Sequence, residues 1–203
     1  FSLVFTSSNH SPWEFPEGEI ELHEEPAATR NNAVKYADHA LGEFFDLARS
    51  SSYWENTVFL VVADHNSRVY GPALVPVEHF HIPGVFLGGT ITPERIGVVA
   101  SQVDLLPTAL SLIGLDAEHP ALGRDLMDPA IRALPGRAML QFHQTNLFLQ
   151  EDHAVVLLAG LTPAHFRWTG SQLDPAERVP ELERHRPDIA RACRRAHANG
   201  HVD

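Results

Sequence analysis

Residues 57–63 read TVFLVVA, and Asp64 and His65 follow at once. The run is apolar without alternation and rich in β-branched side chains. That is how a strand buried on both faces reads, and both faces are covered in a central parallel strand flanked by helices. It sets the expected fold class as α/β with a mainly parallel sheet. Upstream, Val34, Ala37, Leu41, Phe44, Phe45 and Ala48 fall on one side of a helix over residues 31–49, with Thr29 or Asn31 as its cap. Further upstream, residues 2–6 (SLVFT) form a short apolar run and an expected strand of the same sheet, followed by a polar, proline-containing loop over 7–26. Downstream, residues 82–87 read as a third strand, stopped by Gly88 and Gly89. Residues 101–113 read as a helix with Pro107 in its first turns and Gly114 past its end.

The last third has a different texture. Residues 138–142, 147–150, 154–158 and 165–168 are short strand candidates, spaced closely enough for antiparallel hairpins. A charged helix, interrupted at Pro187, is expected over 180–198. The expected organisation is therefore an α/β part over residues 1–136, with a small antiparallel sheet and terminal helix over 137–203 in the same globule.

The chain has 203 residues, 44% of them hydrophobic and 20% charged, which excludes disordered and collagen-like classes. Acids outnumber Lys plus Arg by 26 to 15, for a formal charge of -11. Such a chain lacks the basic footprint that grips a phosphate backbone, so no nucleic-acid partner is expected. Cys193 is the only cysteine, which excludes an internal disulfide and a cysteine-rich zinc site. No run of about 18 apolar residues is present, so no membrane-spanning helix is expected. The chain opens inside an expected strand, as a piece of a longer protein would.

Chemistry concentrates at the ends of the expected strands. In open α/β sheets, ligands sit beyond the carboxyl ends of the strands. Asp64 and His65, at that edge, offer a carboxylate and an imidazole that can hold a divalent cation, with Zn²⁺ and Mn²⁺ the natural candidates. An Asp after a strand also serves simply to cap the next turn. His10, in Asn9-His10-Ser11-Pro12-Trp13, follows the first expected strand. Its imidazole can donate to a phosphate or sulfate oxygen or bind a second metal, and the same residues also make a plain proline turn. His79 and His81 lead into the strand at 82. In extended chain they point to opposite faces, so at most one faces the site.

These segments, in this order, resemble the C-terminal part of the sulfatase/alkaline-phosphatase superfamily, in particular its lipoteichoic-acid-synthase-like, phosphoglycerol-transferase-like branch. The resembling pieces are TSSNHSPW (6–13), YADHALGEFFDLARSSSYWENT (36–57), VFLVVADH (58–65), VPVEHFHIP (75–83), QVDLLPTALSLIGL (102–115) and GRDL (123–126). The resemblance implies an alkaline-phosphatase-like fold. It implies that Asp64 and His65 are two ligands of the catalytic divalent metal (Mn, Zn, Mg or Ca). It implies that His10 contacts the substrate anion, and that His81, with His79 as the alternative, serves the anion or a second metal. Asn66 stands where the family usually has Gly, and Asn tolerates the left-handed conformation that this turn uses.

The family's nucleophile and an acidic metal ligand fall upstream of the matching segments, in an N-terminal half of the same protein that this chain lacks. Cys193 is not that nucleophile. The parent protein is thereby expected to be a metal-dependent enzyme hydrolysing or transferring a sulfate or phosphate ester, with phosphoglycerol transfer from lipid as one form. The resemblance implies an ester substrate, with a lipid-linked one as a candidate, and a location on the periplasmic face of a bacterial membrane. The isolated chain is expected to be inactive, and its metal site weak or empty. Two rivals remain open at this point: an α/β metallohydrolase of another type, and a degenerate sulfatase-fold module that binds without catalysis.

Overall fold

Helix α1 spans Arg30–Arg49, and its start is set by the residue the sequence offered. The hydroxyl of Thr29 accepts the Asn32 N–H at 3.2 Å, the bond an N-cap makes to an orphan first-turn donor. Asn32 is fully buried. Its carboxamide accepts the N–H groups of His23 and Glu24 at 2.7 and 3.3 Å and donates to the carbonyls of Glu24 and Ala27 at 2.7 and 3.0 Å. One side chain thus ties the preceding loop to the helix. Ser50 and Ser51 end the helix through hydroxyl bonds to the carbonyls of Leu47 and Ala48. Of the expected apolar stripe, Phe45 and Ala48 are buried, while Val34, Leu41 and Phe44 remain 54%, 37% and 45% exposed. Periodicity tells which residues share a face, not how much of that face finds a partner.

The computed structural model describes residues 1–66, 73–158, 160–185, 187 and 189. They fall into two compact units, Phe1–Thr57 and Val58–Asp203. In the first unit, residues 2–6 are not a strand. They make no sheet pairing, and Leu3, Val4 and Phe5 are 71%, 81% and 76% exposed. A run of five apolar or neutral residues has strand propensity, but a strand exists only where a neighbour takes its backbone hydrogen bonds.

The second unit holds two sheets. Strand β1 (Phe59–Val62) pairs with β2 (Gly84–Leu87), Val61 opposite Val85, and the pairing is antiparallel. The expected mainly parallel sheet is therefore corrected: among the described residues both sheets are antiparallel. Two-sided apolarity reports burial, not strand direction. Nor does the segment between β1 and β2 contain a described crossover helix of the kind a parallel pair needs, only a 3-10 turn over Val77–Phe80.

After β2 the chain runs through a 3-10 turn, Gln102–Asp104, into helix α2 (Leu105–Leu112), with Gly114 at φ 70° just past its end. A short helix α3 (Pro129–Arg132), capped by Asp128, leads to the second sheet. That sheet is a meander in sequence order: β3 (Arg137–Phe142), β4 (Thr145–Gln150), β5 (His153–Leu158), β6 (Ala164–Trp168) and β7 (Leu173–Pro175). The four expected hairpin strands are all present, and β7 is added. Alternation divides its core. Leu140, Leu147, Leu149, Ala154 and Val156 face one side, against Val75, Val77 and Phe80. Phe148 and Val155 face the other, against Leu182 and Ile189. Helix α4 covers Pro180–Glu183; most of the terminal helix expected to residue 198, Cys193 included, lies outside the described residues.

Candidate functional site

Strand β1 ends at Val62, and Asp64 and His65 emerge two and three residues later on exposed chain. The Asp64 carboxylate bends back to accept its neighbour's backbone N–H, His65 N to Oδ1 at 2.8 Å. Its other oxygen, Oδ2, lies 3.5 Å from His65 Nε2. The opposite ring nitrogen, His65 Nδ1, is 2.9 Å from the Asn66 carbonyl. A carbonyl only accepts, so Nδ1 is the donor toward Asn66, and Nε2 is the ring nitrogen left beside Oδ2. This is the arrangement by which a backbone carbonyl fixes the tautomer of a metal-binding imidazole.

The donor set fits a divalent cation in type and spacing. Two ligands bound at about 2.1 Å in tetrahedral geometry stand about 3.4 Å apart, close to the separation of Oδ2 and Nε2. The set is incomplete: among the described residues no cluster of three or more His, Cys, Asp or Glu forms a metal-binding group.

The two downstream histidines are placed differently from the extended-chain expectation. His79 lies in the 3-10 turn Val77–Phe80, and His81 is the turn's C-cap, with its N–H directed to the Glu78 carbonyl. The turn is anchored from below, because Val75, Val77 and Phe80 pack on the core of the second sheet. That anchoring carries His79 to the loop beyond β1. Its Nδ1 is 3.5 Å from the Asn66 carboxamide nitrogen, and its Nε2 is 3.6 Å from Glu78 Oε1. His79 is thus the imidazole that meets the residue following the Asp-His pair, while His81, just past the turn, is exposed. No periodicity argument separates the two, because a 3-10 turn has neither the strand's period nor a sequence signature of its own.

His10 lies in the first unit, in a tight turn closed by His10 N to Ser7 O at 3.1 Å and Trp13 N to His10 O at 2.8 Å. Its Nδ1 is 2.8 Å from the Ser11 carbonyl, leaving Nε2 outward on an exposed ring. Trp13 holds a φ of 63°, a conformation few non-glycine residues adopt and one that recurs at functional loops.

Sequence reasoning missed Gln102. Its carboxamide nitrogen lies 3.1 Å from the carbonyl of Ala63 and 3.2 Å from that of Asp64. The two partners are 38 and 39 residues away, and no local pattern announces such a bond.

The fold that carries this strand, pair and turn is similar to a solved alkaline-phosphatase-superfamily structure. The chain superposes over 98% of its length on a protein in the alkaline phosphatase superfamily from Vibrio parahaemolyticus, with a TM-score of 0.87 and 45% identity, and covers 49% of that chain. Residues 1–115 match the Sulfatase family, and the chain belongs to that family. It is 24% identical over 147 residues to lipoteichoic acid synthase 1 of Bacillus subtilis (strain 168), and 27% identical over 152 residues to lipoteichoic acid synthase of Staphylococcus aureus (strain USA300). Those matches cover 62% of this chain but only 23% and 22% of the synthases.

Proposed function

We propose that this chain forms part of a metal-dependent enzyme that hydrolyses or transfers a sulfate or phosphate ester, with Asp64 and His65 as two ligands of its divalent metal. The observation that carries the reading is the pair itself: a carboxylate oxygen and an imidazole nitrogen 3.5 Å apart, the ring's tautomer fixed by a backbone carbonyl. Membership of the sulfatase family and likeness to lipoteichoic acid synthases support the ester chemistry and make a lipid-linked phosphoglycerol a candidate substrate. The same likeness supports a location on the outer side of a bacterial membrane. Among the described residues no helix is long and apolar enough to cross one.

Asp64 and His65 would hold a divalent cation, which would supply charge neutralisation at the ester and nucleophile activation. The chain's own residues do the rest. Asp64 brings a carboxylate oxygen to the cation, and His65 brings the ring nitrogen opposite the one that faces the Asn66 carbonyl. The family likeness makes His10, in the first unit, a candidate contact of the substrate anion. His81 takes a second oxygen or a second metal, and His79 stands in the alternative position. The attacking nucleophile and an acidic ligand belong to the N-terminal half of the parent, which makes that half this chain's necessary partner.

The test is turnover of p-nitrophenyl phosphate, p-nitrophenyl sulfate and a phosphoglycerol lipid by the full-length protein, with and without Mn²⁺ or Zn²⁺. Asp64→Ala is expected to lower metal-dependent turnover by about 100-fold or more, beyond the 10–100-fold typical of losing an outer-shell partner. Undiminished activity in Asp64→Ala would overturn the assignment. Binding of substrate without turnover by the intact protein would point instead to a non-catalytic module.

A further inference from the structure

Gln102 holds the backbone from which Asp64 and His65 project. A primary amide has two N–H donors, and the Gln102 nitrogen has two carbonyl acceptors, Ala63 at 3.1 Å and Asp64 at 3.2 Å. The bonds bracket the step at which the chain leaves β1 and the Asp-His pair begins. A further bond, Ala63 N–H to the Pro83 carbonyl at 3.3 Å, holds the same step from the β2 side.

The base of Gln102 is rigid. It is the first residue of the 3-10 turn Gln102–Asp104, closed by a capping box in which the Ser101 N–H donates to Asp104 Oδ2 at 2.8 Å. The Asp104 carboxylate is fully buried, and its other oxygen accepts the Arg124 N–H at 2.7 Å. The Ser101 hydroxyl accepts the Met139 N–H at 3.1 Å, which pins the turn to strand β3. The Asp104 carbonyl accepts the Thr108 hydroxyl at 2.7 Å, and that hydroxyl accepts the Leu126 N–H at 3.0 Å. A buried polar network satisfied in this way is stiff. Gln102 is the arm that reaches from it to the exposed pair.

From this geometry we infer that Gln102 is a positioning residue: its carboxamide fixes the Ala63–Asp64 backbone and so sets the spacing of Asp64 Oδ2 and His65 Nε2. The inference rests on the metal reading of that pair for its consequence, but the clamp itself is independent of it. Because the side chain is exposed, its bonds exchange with water at little net cost. The effect of losing them therefore falls on position and not on global stability.

The experiment uses the full-length protein with Gln102→Glu, which keeps the shape and presents acceptor oxygens to two carbonyls, and Gln102→Met, which removes both donors without charge. Three quantities are read: hydrogen exchange at the Asp64 and His65 amides, affinity for Mn²⁺ alone, and melting temperature. The expected result is faster exchange at those amides and Mn²⁺ binding weakened by about 10- to 100-fold, as for other supports of metal ligands. The melting temperature should stay within about 2 °C of the parent. Unchanged exchange and unchanged Mn²⁺ affinity in both variants would overturn the inference, and so would a general loss of stability that accounts for the weaker binding. If the unsubstituted protein binds no Mn²⁺ but the variants still exchange faster at Asp64 and His65, the metal reading fails and the clamp stands.

Discussion

The two sheets of the second unit are built to different standards. In the meander, Leu147, Phe148, Ala154 and Val155 are fully buried, and side chains cover both faces. In the β1–β2 pair no residue is fully buried, and Leu60 and Val85 are 38% and 46% exposed. The candidate chemistry follows the thin sheet. A two-stranded pair is marginal by itself, and here its end is steadied by polar contacts from elsewhere: Gln102 on the Ala63 and Asp64 carbonyls, and His79 beside Asn66. The contrast separates two tasks. The meander stabilises the unit and anchors the turn carrying His79, and the thin sheet delivers a carboxylate and an imidazole to an open edge.

That contrast can be broken by mutation. Phe148→Ala removes a fully buried ring from the centre of the meander and is expected to cost about 3–5 kcal/mol. Leu60→Ala, on the half-exposed thin sheet, should cost about 1 kcal/mol. Urea unfolding of both variants measures the difference, and equal costs would mean that the two sheets carry the same load.

A smaller effect is expected at Gly123, where the chain passes against the capping-box turn. A Cβ there would stand 1.9 Å from the Val103 carbonyl oxygen and 2.7 Å from the Asp104 Cα. Gly123→Ala therefore forces backbone apart beneath Gln102, at a cost of about 1–3 kcal/mol. Its melting temperature should fall by several degrees, and Mn²⁺ affinity should fall with it.

The meander also carries a pH-dependent fastening. His165 on β6 accepts the Val179 N–H at Nδ1 and lies 3.1 Å from Glu183 Oε1 through Nε2. Hydrogen bonds from the Arg178 guanidinium, and secondarily from His165, hold the Glu183 carboxyl down from 4.5 to about 2. A depressed carboxyl pKa stabilises the fold above the unfolded value and loses that contribution as pH falls through the folded one. Glu183→Gln should therefore melt below the parent at pH 7, and the gap should close between pH 4.5 and about 2. A gap independent of pH would show that the carboxylate charge plays no part.

The sequence made the two regions unequally legible. Strands β3 to β6 were readable because each is a short apolar run and the next begins a few residues later. The position of β1 was equally clear, but not its direction, because VFLVV states only that both sides are apolar. Residues 2–6 misled for a related reason: SLVFT carries the propensity of a strand without the partner that makes one. At the site, Asp64 and His65 stood out by their place after β1. The placement of His79 and His81 depended on a 3-10 turn held by Val75, Val77 and Phe80 against a distant sheet, and that of Gln102 on a capping box closed by residues far along the chain.

Asp64 and His65 are proposed to hold one divalent cation together, and electron paramagnetic resonance of free Mn²⁺ titrated into the full-length protein tests this most directly. Saturable binding is expected, weakened sharply by Asp64→Ala and by His65→Ala, with both variants still folded. Mn²⁺ binding of unchanged stoichiometry and affinity in both variants would contradict it.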